Sequence, residues 1–361
     1  METYKSINYI YFLFKYLTIG VFCIILGACS LPRGTAMLEE LMVQKPKDIK
    51  QFKRYDVTSE LISKLENSKS EPVVWPKNET QTFRLAPGDM VHITIWNSSS
   101  SSLFLIQGQK NVTLPAMRIN QEGEIFFPYV GNVKIGGLDI ATARLMMETQ
   151  IKLSSPNAQI QLNIDPGAIN SFKFLGDVIN SGKYAIEDEN LTIISALALA
   201  GGISNGITNP QLHLERKNKK YTISLNALYN DADLNIQVIP GDFLRITADI
   251  REFQVLGASG NSKIINFDSQ EISVRKAIAM AGGLDGSKSN PKGVLLLRNR
   301  EQLNVIPEPQ IFVFDLTSPD SLFASEEFLV ADNDLILVTE SPAISYQLIL
   351  SLIAMSVGIL K

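Results

Sequence analysis

The chain has 361 residues, of which 45% are hydrophobic and 19% charged, with a formal net charge of −4, two histidines and two cysteines. Mild acidity argues against a nucleic-acid surface, and so few histidines and cysteines leave no His/Cys spacing for a metal site. The length suffices for roughly two or three domains of ~100–200 residues.

Lys5 and Lys15 precede an apolar run from Leu17 to Leu26, which ends in Leu26-Gly27-Ala28-Cys29. A positive region, a short apolar region and small residues at the break make a secretory signal. Gly27 and Ala28 let a peptidase reach the backbone, and Cys29 supplies a thiolate for diacylglycerol. The expectation is a lipoprotein signal peptide at 1–28 and acylation of Cys29; a plain transmembrane anchor with incidental cysteines is the competing reading. Cleavage removes Glu2, Lys5 and Lys15, moving the charge from −4 to −5. Cys23 leaves with the signal. Although the compartment permits disulfides, the single remaining cysteine can form none within the chain.

Residues 29–82 carry many Lys, Glu and Ser and read as an acylated, surface-running leader with one helix at Thr58–Asn67. The globular part begins near Phe83. Pro87-Gly88-Asp89 reads as a turn, because Pro sets φ and Gly supplies a positive φ. Alternation behind it predicts a strand burying Val91, Ile93 and Ile95. Met117–Asn120 and Ile125–Phe127 read as strands around a turn at Glu122-Gly123. Pro128, Tyr129, Val130 and Gly131 form a short strand and turn. Leu138–Ile151 reads as a helix with Ile140, Ala143, Met147 and Ile151 on one face, and Gln159–Ile164 as the next strand.

An internal repeat follows. Leu175-Gly176, Ala200-Gly201-Gly202 and Asn209-Pro210 recur as Leu256-Gly257, Ala281-Gly282-Gly283 and Asn290-Pro291, all at an offset of 81. Thr192 and Ser273 stand at the same offset, where an N-cap hydroxyl belongs. Behind them Ile193, Ala196, Leu197 and Ala200 match Val274, Ala277, Ile278 and Ala281, one buried helical face that a glycine pair ends. Strands at Leu212–Glu215 and Val294–Leu297 follow the Asn-Pro turns. The first copy closes with Pro240-Gly241-Asp242; the second closes more loosely with Ala331-Asp332-Asn333-Asp334, after extra residues between Arg298 and Val330.

Residues 343–360, AISYQLILSLIAMSVGIL, hold no charge. At ~1.5 Å per residue they cover ~27 Å, close to the ~30 Å hydrocarbon core. Gln347, Ser351, Ala354 and Gly358 form a stripe of small or polar groups suited to a lumen or to a neighbouring helix. A spanning helix over 342–361 is expected, against a core helix or one lying flat on the membrane.

The phrase PGDMVHITIW at 87–96, then EGEIFFPYVGNVKIGG at 122–137 and a helix, resembles the polysaccharide export domain of the Wza-like outer-membrane (OPX) proteins. The paired units resemble the SLBB β-grasp domains that follow it. The resemblance covers nearly all of the mature chain except the leader. It implies an α+β fold with an export domain at 83–168, SLBB domains at 172–250 and 252–340, and a C-terminal membrane helix. The turn motifs carried over are Pro87, Gly88, Asp89, Gly123, Pro128, Gly131, Pro240, Gly241 and Asp242. It also implies a homo-oligomeric ring, commonly an octamer, acting as a passive conduit for capsular or extracellular polysaccharide beside an inner-membrane copolymerase. Ser30 in place of Asp implies sorting to the outer membrane, with a large periplasmic portion. A single helix encloses no hole, so a pore needs several copies closing into a ring.

No enzyme and no cofactor are expected. His92 and His213 sit inside strands as surface or edge histidines. The glycine pairs follow helices, whereas a phosphate cradle precedes one. Glu187-Asp188-Glu189 reads as a solvated turn rather than a glycosidase pair. The alternative to the conduit is a periplasmic glycan-binding or adaptor lipoprotein that forms no pore; a weaker one is a scaffold for envelope assembly.

Overall fold

The structure is a computed structural model that describes residues 37–39, 52–66, 75–78, 82–97, 110–298 and 309–342. Cys29, Gln347, Ser351, Ala354 and Gly358, which carry the anchor and membrane-helix expectations, lie outside the described residues. Among those described, no helix is long and apolar enough to cross a membrane. The fold is mixed α and β, consistent with the α+β class. The chain divides into two compact units, residues 71–249 and residues 1–70 with 250–361.

The leader contributes β1 (Lys53–Asp56) and α1 (Ser59–Glu66). The first part of the 71–249 unit holds β2 (Met90–Asn97), β3 (Asn111–Thr113), β4 (Met117–Arg118), β5 (Glu124–Phe127), β6 (Gly131–Lys134), α2 (Ile140–Ile151) and β7 (Ala158–Asp165). β2 is its spine, antiparallel to β7 from Met90↔Asp165 to Asn97↔Ala158, with β3 and β4 on its other edge. Val91, Ile93 and Ile95 are fully buried, as the period-two alternation requires. Ala143, Met147 and Ile151 of α2 bury into the same core, together with Phe127 and Ile135. Asp139 starts that helix by accepting the Thr142 N–H at 2.8 Å.

The first repeat holds β8 (Ser171–Gly176), β9 (Gly182–Ala185), α3 (Ile193–Leu199), β10 (Gln211–Arg216), β11 (Lys219–Ser224), α4 (Leu225–Asn230) and β12 (Phe243–Thr247). The second holds β13 (Glu252–Gly257), β14 (Lys263–Asn266), α5 (Val274–Met280), β15 (Ser289–Arg298), β16 (Gln310–Phe314), α6 (Pro319–Glu327) and β17 (Leu335–Glu340). The strand order is β11-β10-β12-β8-β9 in the first sheet and β1-β16-β15-β17-β13-β14 in the second. Five strands and two helices follow in the same order, and the five strands pair in the same register, so the sequence repeat is a structural one.

Each repeat builds its core the same way. Ile193, Ala196 and Leu197 are buried in α3, and Val274, Ala277 and Ile278 in α5. Full burial of each large aliphatic side chain contributes about 1.5–3 kcal/mol. The Thr192 and Ser273 hydroxyls accept the Ser195 and Lys276 N–H groups. Both residues of each glycine pair take positive φ, between 81° and 89°. Gly176 and Gly257 also correspond: a Cβ on either would come within 2.1 or 2.2 Å of the carbonyl oxygen of Ile246 or Val338.

Three details differ from the sequence reading. Residues 53–66 do not merely run over a surface: β1 adds to β16 in parallel, from Lys53↔Gln310 to Asp56↔Val313, and Val57 and Ile62 enter the second repeat's core. Asn290-Pro291 is not a turn outside the strand; β15 begins at Ser289, and its register shifts before Val294, as a bulge permits. The strand expected at 117–120 pairs only at Met117 and Arg118, and Ile119 instead gives its N–H to the Asp89 carbonyl.

Candidate functional site

The turn motifs that the sequence singles out converge on one device, used three times. In Ala86-Pro87-Gly88-Asp89 the Asp89 N–H reaches the Ala86 carbonyl, while an Asp89 carboxylate oxygen takes the Ala86 N–H at 2.8 Å. Ile239-Pro240-Gly241-Asp242 repeats this, with the Ile239 N–H on Asp242 at 2.9 Å. Ala331-Asp332-Asn333-Asp334 repeats it again, with the Ala331 N–H on Asp334 at 2.7 Å. The third position of each turn has positive φ: 96° at Gly88, 89° at Gly241 and 61° at Asn333. Asn is the side chain that best tolerates that region after glycine. The closing turn of the second repeat is therefore different in letters and the same in geometry, which corrects its reading as a looser one.

The three carboxylates are buried, and each is satisfied from the far side. Asp242 receives Arg216 through two nitrogens at 2.6 and 2.9 Å, and the same guanidinium also reaches the Gln237 carbonyl. Asp334 receives Arg298 in the same fork, and that guanidinium reaches the Leu329 carbonyl. Among the described residues no arginine reaches Asp89; the Gly167 N–H and the Asn170 side-chain amide take its place at 2.7 and 2.8 Å. Asn170 also donates to the Arg84 carbonyl, so one amide ties the first strand's entry turn to the start of the first repeat. Paired and hydrogen-bonded ions of this kind hold a geometry; breaking one partner leaves a buried charge. Sequence reasoning found Asp89 and Asp242 but not Arg216, Arg298 or Asn170. Arginine at the end of corresponding strands of a repeat was the available signal.

Gly123 and Gly131 serve the β5–β6 hairpin. Gly123, at φ 82°, passes against Gly136, where an added Cβ would stand 3.2 Å from the facing Cα. Gly131 has φ 98°, and Pro128 opens a turn in which Tyr129 takes φ 64°. Phe126 and Tyr129 are both 65% exposed there.

The titratable groups follow structural roles. His92 meets Asp165 at 2.7 Å across β2 and β7. His213 is bracketed by the Thr222 and Thr247 hydroxyls at 2.9 and 2.8 Å. Burial first, and the charge of Arg245 second, hold its imidazole below the ordinary value. Glu187, Asp188 and Glu189 are an exposed turn. Glu187 and Asp188 line a hollow of about 600 Å³ between β9 and α3, floored by Tyr184, Leu191 and Leu199. A second hollow of about 630 Å³ joins Thr82, Asp139, Arg144 and Gln161 to Glu189. Among the described residues no group of His, Cys, Asp or Glu is arranged to hold a metal ion.

Comparison with known proteins supplies the context for these turns. A family described as "Polysaccharide biosynthesis/export protein" matches residues 77–165. The capsule polysaccharide export protein BexD of Haemophilus influenzae is 25% identical over 291 residues, 74% of this chain and 73% of that one. The Vi polysaccharide export protein VexA/TviF of Salmonella typhi is 23% identical over 329 residues, 88% and 90% of the two chains. The EPS I polysaccharide export outer membrane protein EpsA of Ralstonia nicotianae is 24% identical over 289 residues, 75% and 74%. The resemblance carried by the Pro-Gly-Asp strand phrase and the residues after it is borne out: residues 77–165 match the export family, and the chain is similar over about three quarters of its length or more to proteins named as polysaccharide export proteins.

Proposed function

We propose that this protein is the outer-membrane subunit through which a capsular or extracellular polysaccharide leaves the cell. Support comes from the export domain at 77–165 and from relatives, aligned over about three quarters of the chain or more, named as polysaccharide export and outer-membrane proteins. It sits at the outer membrane with a large periplasmic portion. Cys29 carries the lipid, the segment 342–361 crosses the bilayer, and eight copies close into a ring. Residues 83–168 form the export domain, and 172–250 and 252–340 are SLBB domains. The ring is a passive conduit that performs no covalent chemistry; synthesis and an inner-membrane copolymerase drive the polymer. Gln347, Ser351, Ala354 and Gly358 face the lumen or the adjoining helix.

The observation that carries this reading is the pairing of the export domain with an uncharged segment long enough to span lipid. A cysteine added after Lys361 tests it on intact cells with a membrane-impermeant maleimide. Labelling from outside is the expected result. Protection on intact cells with labelling after outer-membrane permeabilisation would instead make the protein a periplasmic adaptor that forms no pore.

A further inference from the structure

The two repeats share a framework but present unlike outer sheet faces. In the first, the residues that alternate with the core lie in register from strand to strand: Lys183 beside Lys173, Lys173 beside Phe243, Phe243 beside Glu215, Glu215 beside Lys220. This row crosses all five strands, about 19 Å at a strand spacing of about 4.8 Å. Arg245 stands two residues beyond Phe243 on the same strand and face. The four cations are exposed, Phe243 is half-buried, and Glu215 is the one carboxylate in the row. Among the described residues, none of the four cations is held in an ion pair.

The second repeat places Ile264, Gln254, Leu335, Leu297 and Ile311 along the same row, in the same register. Leu337 stands where the first has Arg245. Beside them Leu295 and Val313 are buried, at 1% and 6% exposure. The inner faces match, so the fold itself does not dictate what the outer faces carry. A cationic row in one copy and an apolar row in the other mark two different surroundings.

We infer that the outer sheet face of the first repeat holds an anionic glycan, with Lys173, Lys183, Lys220 and Arg245 on its acidic groups. The guanidinium of Arg245 offers a fork that matches a sugar carboxylate. The lysines are mobile point charges suited to a polymer that slides rather than locks. Phe243 gives an apolar patch for the C–H face of a sugar ring, and Glu215 limits how much charge can gather on that side of the row. The inference rests on the export reading and narrows it to polymers that carry acid groups.

The test uses the full-length chain in detergent, with hyaluronan oligosaccharides as the acidic probe and dextran of matched length as the neutral one. Hyaluronan should bind at least about tenfold more tightly than dextran, and about tenfold less tightly at ~0.2 M than at ~0.02 M salt, as surface charges are screened. The triple variant Lys173→Glu, Lys183→Glu, Arg245→Glu should lose this preference, while Lys263→Glu on the second repeat should keep it. Because all three positions are exposed, far-ultraviolet circular dichroism and the melting temperature should stay those of the parent. Equal binding of the two glycans, or full hyaluronan binding by the triple variant, would overturn the inference. So would a variant that alters only the number of copies in the assembly, since the face would then be a contact between subunits. Failure here with export still dependent on the protein would remove the acidic-polymer face and leave the conduit standing.

Discussion

At the scale of single residues, the fold is held at three points by carboxylates that close a turn from inside. Asp242 is 2% exposed and Asp334 is 1% exposed, each with an arginine fork, so removing one partner strands the other in a low-dielectric interior. Asp242→Ala should therefore lower the stability of its unit by about 3–5 kcal/mol in urea titration, and a loss under 1 kcal/mol would remove the pair from the account. Arg216 and Asp242 replaced together by apolar residues of similar volume should cost much less. The turn conformation makes a separate prediction: Gly241→Ala should destabilise by about 1–2 kcal/mol, whereas Asn333→Gly should be close to neutral. His213 makes a third, through pH. Its native pKa lies below the ordinary value of 6.5, so the unfolded chain binds the proton first. The contribution of the neutral imidazole is whole above that value and is lost as pH falls through the depressed native one. His213→Gln, which can still bridge Thr222 and Thr247, should flatten the stability profile on the acid side. An unchanged acid limb would show that other groups control it.

At the scale of elements, much was readable because the signals are local. The Pro-Gly-Asp turns, the N-cap hydroxyls, the glycine pairs and the two alternating strands all act within a few residues. They appear where the sequence places them: α1 within 58–67, α2 ending at Ile151, β7 over 158–165. What escaped notice depends on distant partners. Lys53–Asp56 reads as a charged leader, and only β16 turns it into a strand. Arg216 and Arg298 look like ordinary strand-end cations until the aspartates beyond them fold back. The repeat could have disclosed them, since they occupy matching strand ends, but the offset there is 82 rather than 81 and hides the match. The β15 bulge before Val294 is a physical source for that slip. If residues 53–66 belong to the second repeat, Ile62→Ala should weaken it by about 2–5 kcal/mol. Hydrogen exchange of amides in 252–340 would report the loss; exchange that speeds up only within 53–66 would show a leader merely resting on a finished domain.

At the scale of the whole molecule, a repeated framework has been given two outer faces, and the export domain stands ahead of both in sequence. Each of the three turn carboxylates, Asp89, Asp242 and Asp334, is buried and hydrogen-bonded. Among the described residues, Asp268, Asp285 and Asp315 sit below the ordinary carboxylate range because neighbouring Lys276, Ser287 and Thr317 hydrogen-bond to them. The most direct measurement is where the polymer goes when the protein is withdrawn. Cells depleted of it should go on making polysaccharide but hold it inside the outer membrane, with surface polymer falling at least about tenfold and returning when the parent chain is restored. Surface polymer that stays at its normal level through depletion, with none retained in the periplasm, would contradict the account at its centre.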